Sequence, residues 1–183
     1  SLAEKTIADR FRGLGYRTGL VGKWHLGGAP KFHPQQRGFE EFFGFLGGAH
    51  PYFPQEDQAP IFRGTEEVDE KEYLTDAFTR EAVSFIDRHQ KEPFLLLLTY
   101  NAVHNPQHAK PEHLERFKSI EDETRRNYAG MLTALDDGVG QVIAKLDSAG
   151  LSKNTLVAFF SDNGGPPVNG STNGALRGQK ATT

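Results

Sequence analysis

The 183 residues contain no cysteine, which removes disulfides, thiolate metal sites and a cysteine nucleophile from consideration within them, and leaves the compartment open. No apolar run approaches the roughly 20 residues of a membrane helix. The longest is the short stretch over 94–98. Charge of one sign is not in excess: 21 Lys and Arg stand against 24 Asp and Glu, net −3, with the two signs interspersed. A basic stripe able to neutralise a phosphate backbone is therefore missing, and nucleic acid is not expected as a partner. Internal repeats and low-complexity tracts are absent too. The first residue is Ser1 rather than Met, no signal-peptide pattern precedes the amphipathic start, and the chain reads as a piece of a longer one.

What is there alternates between helical and strand patterns. Ser1 with Glu4 resembles a capping box, and Leu2, Ile7, Phe11 and Leu14 recur at helical spacing before Gly13 and Gly15. Residues 16–21 read as a short strand, followed by a Gly/Pro-rich, Phe-rich stretch to Pro60 that reads mostly as loop. Ala77, Phe78, Ala82, Phe85 and Ile86 trace a second helix, and the run over 94–98 is apolar on both faces, as a central parallel strand requires. Tyr128, Met131, Leu132, Leu135, Val139, Val142, Ile143 and Leu146 trace a long helix ended by Gly150, and 155–160 reads as another buried strand. Alternation of this kind predicts an α/β fold with a mostly parallel sheet and helices on both faces. Ligands in such folds bind beyond the carboxyl ends of the strands.

Those ends are where the chemistry-bearing residues fall. Asp162 and Asn163, in Ser161-Asp162-Asn163-Gly164, offer a carboxylate and an amide oxygen after the last predicted strand. Hard oxygen donors suit Ca²⁺ or Mg²⁺, although the same residues are also the ordinary chemistry of a tight turn. A Ca²⁺ ion takes about 6 to 8 oxygens, and no second acidic pair stands at a strand end, so a real site would draw further ligands from elsewhere. Lys23 and His25 flank Trp24; on an extended backbone they share one face while the indole packs on the other, and a solvated lysine beside a core-edge histidine is the bland alternative. His104 follows the run over 94–98, and Lys180 lies in Leu176-Arg177-Gly178-Gln179-Lys180 beyond Asp162. Fixed positive charge beside a divalent metal suits transfer of a tetrahedral anionic group, sulfuryl or phosphoryl, and histidine can also move a proton.

Gly22-Lys23-Trp24-His25-Leu26-Gly27, Arg37-Gly38-Phe39 with Phe42 and Gly44, His104, Ser161-Asp162-Asn163-Gly164 and Leu176-Arg177-Gly178-Gln179-Lys180 together resemble, in order, the signatures of the type I sulfatases. The resemblance runs over 1–183 and implies an alkaline phosphatase-like α/β fold, incomplete at both ends. The chain would then be a partial catalytic domain without the nucleophile-bearing part or the C-terminal subdomain. It further implies Ca²⁺, in preference to Mg²⁺, on Asp162 and Asn163. Lys23 and Lys180 would hold sulfate oxygens, His25 would remove a proton as sulfate leaves, and His104 would serve the leaving-group side. The family's formylglycine, made from Cys or Ser in a Cys/Ser-x-Pro-x-Arg motif, has no counterpart here and is expected upstream. A polar contact expected after Phe42 falls near Gly48, which has no side chain to make it. The implied function is hydrolysis of an aryl or glycan sulfate ester, in a periplasmic, secreted or lysosomal setting. A phosphodiesterase or phosphonate hydrolase of the same superfamily, and a non-catalytic sulfate-binding relative, are the competing readings. The formal glycosylation acceptor Asn169-Gly170-Ser171 reads as a flexible loop tip.

Overall fold

In a computed structural model, which describes residues 2–182, five strands form one sheet in the order β4-β3-β2-β1-β5. β1 (Arg17–Lys23) runs parallel to both β2 (Glu41–Phe45) and β5 (Phe94–Thr99). β3 (Ile61–Arg63) and β4 (Glu66–Val68) add an antiparallel hairpin beside β2. The β1/β2 register pairs Leu20 with Phe42 and Val21 with Phe43. Successive side chains point to opposite faces, so these pairs feed two different cores. Leu20 and Phe42 join Ala8, Trp24 and Phe39 on one face, whereas Val21 and Phe43 join Phe45, Ala77 and Phe78 on the other.

Helix α1 (Ile7–Gly13) covers the first face. Its capping box is formed by Thr6 and Asp9, not by Ser1 and Glu4; Ser1 lies outside the described residues. Leu2, Ile7 and Leu14 are exposed and Ala8 is the fully buried contact, because a small side chain lets the helix approach the sheet closely. α2 (Leu74–His89) covers the second face, burying Leu74, Ala77, Phe78, Ala82, Phe85 and Ile86 at helical spacing as the pattern predicted. A short helix α3 (Pro111–Arg116) and the long α4 (Glu123–Ser148) pack outside it. Asp122 caps α4 by accepting from the Arg125 amide at 2.6 Å, and Met131, Ala134, Leu135 and Leu146 form its inner stripe, while Leu132 and Ile143 face outward.

Two further expectations fail. The Phe-rich stretch before Pro60 is not mostly loop, since it contains β2, the strand beside β1. Residues 155–160 form no strand among the described residues, and Leu156, Phe159 and Phe160 are exposed at 95%, 74% and 77%. The physical reason is pairing: a strand needs neighbours for its backbone donors and acceptors, and among the described residues no strand pairs with this segment. Among the described residues β5 likewise pairs on one side alone, with β1, and all its side chains are half-buried rather than central.

Candidate functional site

Lys23 is the last residue of β1, and its carbonyl oxygen accepts from Thr99 Oγ1 at 2.7 Å, which ties the ends of β1 and β5 together. Its side chain is half-buried. Burial pushes the Lys23 ammonium below the ordinary lysine range; the Asp162 carboxylate works against that shift and the Lys180 ammonium adds to it. Asp162 and Lys180 therefore both lie within electrostatic reach of Lys23, at the end of β1.

Trp24 turns inward, packs edge-on against Phe39 at 6.1 Å between centroids and donates its indole N–H to the Phe32 carbonyl at 2.9 Å. His25 does not continue the strand alternation: its φ is 55°, and its exposed ring lies against Gly48. A methyl group at position 48 would stand 2.5 Å from His25 Nε2 and 2.7 Å from Cε1. The absent side chain at Gly48 is thus the space that the imidazole occupies.

His104 stands in the loop after β5. Its Nδ1 faces the Asn105 carbonyl oxygen at 2.8 Å, which in a neutral ring makes Nδ1 the donor and leaves Nε2 with a lone pair. Lys180 Nζ lies 3.2 Å from that Nε2. The loop is held from beneath. Tyr52, fully buried, directs its hydroxyl at the carbonyl oxygens of Asn101 and His104, the Tyr73 hydroxyl donates to the His108 carbonyl at 2.9 Å, and Asn101 Nδ2 donates to the His50 carbonyl at 3.3 Å.

Asp162 and Asn163 are exposed at the start of a long turn-rich segment. Ser161 Oγ donates to the Asn163 carbonyl at 2.7 Å, and among the described residues the Asp162 carboxylate has no hydrogen-bond donor within 3.5 Å and no cationic nitrogen within 4.0 Å. An uncommitted carboxylate next to an amide oxygen is a donor set that fits a hard cation. Two residues do not complete its shell, and no group of three or more His, Asp or Glu is disposed to hold a metal among the described residues. The structure thus brings Lys23, Asp162, Lys180 and His104 together, sets Asn163 beside Asp162, and seats His25 on Gly48. Sequence reasoning missed Tyr52, Asn101 and Thr99, whose contacts reach across 49, 51 and 76 positions and carry no local pattern.

A family model described as Sulfatase matches residues 1–183. The chain belongs to the sulfatase family. Arylsulfatase J of Mus musculus is 34% identical over 99% of this chain and 32% of its own length, and N-acetylgalactosamine-6-sulfatase of Mus musculus is 33% identical over 99% and 38%. The sulfatase chain described here therefore spans about a third of these curated relatives. Among solved structures, Ps i-CgsB in complex with k-i-k-neocarrahexaose superposes with a TM-score of 0.95 at 40% identity, covering 98% of this chain and 44% of that one. The expected α/β sulfatase fold is present, with the sheet's mixed hairpin added at the β2 side.

Proposed function

We propose that this sulfatase chain supplies the cationic wall and two metal-ligand residues of a site that hydrolyses a sulfate ester, as part of a larger catalytic domain. The observation that carries the reading is the approach of Lys180 to His104 beside Lys23 and Asp162, at the strand ends where an α/β fold binds its ligands. Lys23 and Lys180 hold the sulfate oxygens and stabilise charge as it grows on them. His25 takes a proton as sulfate departs, and His104 serves the leaving group, its Nε2 meeting the Lys180 ammonium while Nδ1 is held by the Asn105 carbonyl. Asp162 and Asn163 contribute to a divalent cation, Ca²⁺ in preference to Mg²⁺, whose remaining oxygen ligands come from residues other than these. When bound, that cation neutralises sulfate oxygens, and a formylglycine outside these residues supplies the nucleophile. The complex of a structural relative with a neocarrahexaose supports a sulfated glycan as substrate, with an aryl sulfate as its simple surrogate. A location outside the cytoplasm accords with such a substrate.

The test is discrimination between esters in the full-length protein. An aryl sulfate should be cleaved with higher kcat/KM than the matching aryl phosphate. Lys23→Ala and Lys180→Ala should each lower it by about 10²- to 10³-fold, the usual cost of one preorganised contact. A preference for the phosphate, or for a matching phosphodiester or phosphonate ester, would instead place the protein among the phosphorus-ester hydrolases of the superfamily.

A further inference from the structure

The segment that carries Asp162, Asn163 and Lys180 contains no α-helix and no strand among the described residues. Something other than a sheet must fix it. Its contacts concentrate on one turn, Asn169-Gly170. Asn105 Nδ2 donates to Asn169 Oδ1 at 3.0 Å, Gln107 Nε2 donates to the Asn169 carbonyl at 2.6 Å, and Arg125 Nη1 donates to the Gly170 carbonyl at 2.6 Å. Gly170 has φ 75°, and a methyl group there would stand 3.0 Å from the Arg125 Cα, so the turn is seated directly on the start of α4.

From this turn the segment closes on itself. Ser171 Oγ donates to the Pro166 carbonyl at 2.8 Å, and the Asn173 side chain both accepts from the Gly165 amide at 3.0 Å and donates to its carbonyl at 2.9 Å. The Lys180 amide then donates to the Gly164 carbonyl at 2.7 Å, and the Lys180 ammonium reaches His104. The loop tip is therefore pinned rather than flexible, and the side chains of Asn169 and Ser171 are both engaged within the fold.

We infer that Asn105, Gln107 and Arg125 are positioning residues, which grip the Asn169-Gly170 turn and thereby set Lys180 against His104. Asn105 and Gln107 belong to the same loop as His104, so one short stretch carries the histidine and also holds the strap that brings the lysine to it. The inference rests on the role proposed above for Lys180.

Gln107→Glu is nearly isosteric but replaces the donor with a carboxylate facing a carbonyl oxygen, and Arg125→Met keeps bulk without the donor. In the full-length sulfatase both should speed hydrogen exchange at the Lys180 amide by about tenfold, as expected for loss of one well-aligned contact. kcat on an aryl sulfate should fall about tenfold with KM within about twofold, because Lys180 acts mainly as charge develops. Arg125→Lys, which retains a donor, should recover most of the loss. In a Lys180→Ala background the further effect of Gln107→Glu should shrink below about twofold, since residues acting through one group are not additive. Unaltered exchange in both variants overturns the clamp. Faster exchange with unchanged kcat, or a loss that adds in full to that of Lys180→Ala, overturns Lys180 as the group being positioned. Full turnover of Lys180→Ala alone would remove the sulfate-holding role and leave the exchange measurement to decide the clamp.

Discussion

The Tyr52 hydroxyl has one proton and two carbonyl acceptors, Asn101 at 2.6 Å and His104 at 2.9 Å. Burial, with the neighbouring Tyr73, pushes its pKa far above the ordinary tyrosine value, so it stays a neutral donor at any pH the protein meets. Tyr52→Phe leaves those carbonyls short of a donor inside the protein, at a cost of about 1–3 kcal/mol, and should lower kcat by freeing the His104 loop. Urea unfolding with steady-state kinetics would check both. Gly48→Ala makes the opposite prediction for stability. The added methyl meets a side chain, the exposed His25 ring, rather than backbone, so the ring can swing away at little energetic cost. Turnover should fall by at least about tenfold with the melting temperature essentially unchanged, as a misplaced proton acceptor requires. An unchanged kcat in this variant would show that the placement of His25 on Gly48 does not matter to the reaction.

At the scale of elements, the β3–β4 hairpin is joined to α2 by charge. Arg63 donates from Nη1 and Nη2 to both oxygens of Glu81, at 2.7 and 2.6 Å, and Arg80 links Glu81 to Glu70 at 3.1 and 2.7 Å. Burial alone would raise the Glu81 carboxyl, but the hydrogen bonds and charge of Arg63, with those of Arg80, outweigh it and hold the group below its usual range. A depressed folded pKa means that the stabilisation is present above the unfolded value of about 4.3 and fades as pH falls through the lower folded value. Glu81→Gln should therefore destabilise at pH 7 by about 1–3 kcal/mol, moderated because both arginines can rehydrate, and the difference from the native protein should vanish at acid pH. Denaturant titrations between pH 7 and pH 3 would show it; a constant gap over that range would refute the ion-pair account. The elements themselves were unequally legible. α2 and α4 repeat apolar residues over many turns and β5 is an apolar run, so period and length identify them, whereas β1 shows itself by a short stretch around Leu20 and Val21 set between glycines. β2 is five residues with a glycine inside a Gly/Pro-rich stretch, and β3 and β4 are three residues each, too short for any period to register.

For the whole molecule, what could be read was what sits on local pattern, and what could not is what the fold assembles across distance. Lys23, His104, Asp162 and Lys180 were found as motif residues at or after strand-like runs, yet the Asn169-Gly170 strap and the Tyr52 pillar depend on contacts 45 to 64 positions apart. Residues 155–160 show the opposite failure, since the sequence pattern of a buried strand is there and the neighbours are not. Leu156, Phe159 and Phe160 are exposed along one short run of a chain that covers about a third of its curated relatives, and we expect so apolar a run to be covered in the full-length protein. The expectation follows from that cover. If these side chains were truly at the surface, Leu156→Asp or Phe159→Asp would change stability by no more than about 0.5 kcal/mol. If they are core positions of the full-length sulfatase, each buries an unpaired charge and should cost about 3 kcal/mol or more, read as a loss of soluble protein or a melting temperature lower by several degrees. The exposed Leu176→Asp, away from the strand-like run, serves as the control and should behave as a surface change. Equal, small effects at all three positions would mean that 155–160 is solvent-facing in the whole protein and that its apolar character has some cause other than sheet pairing.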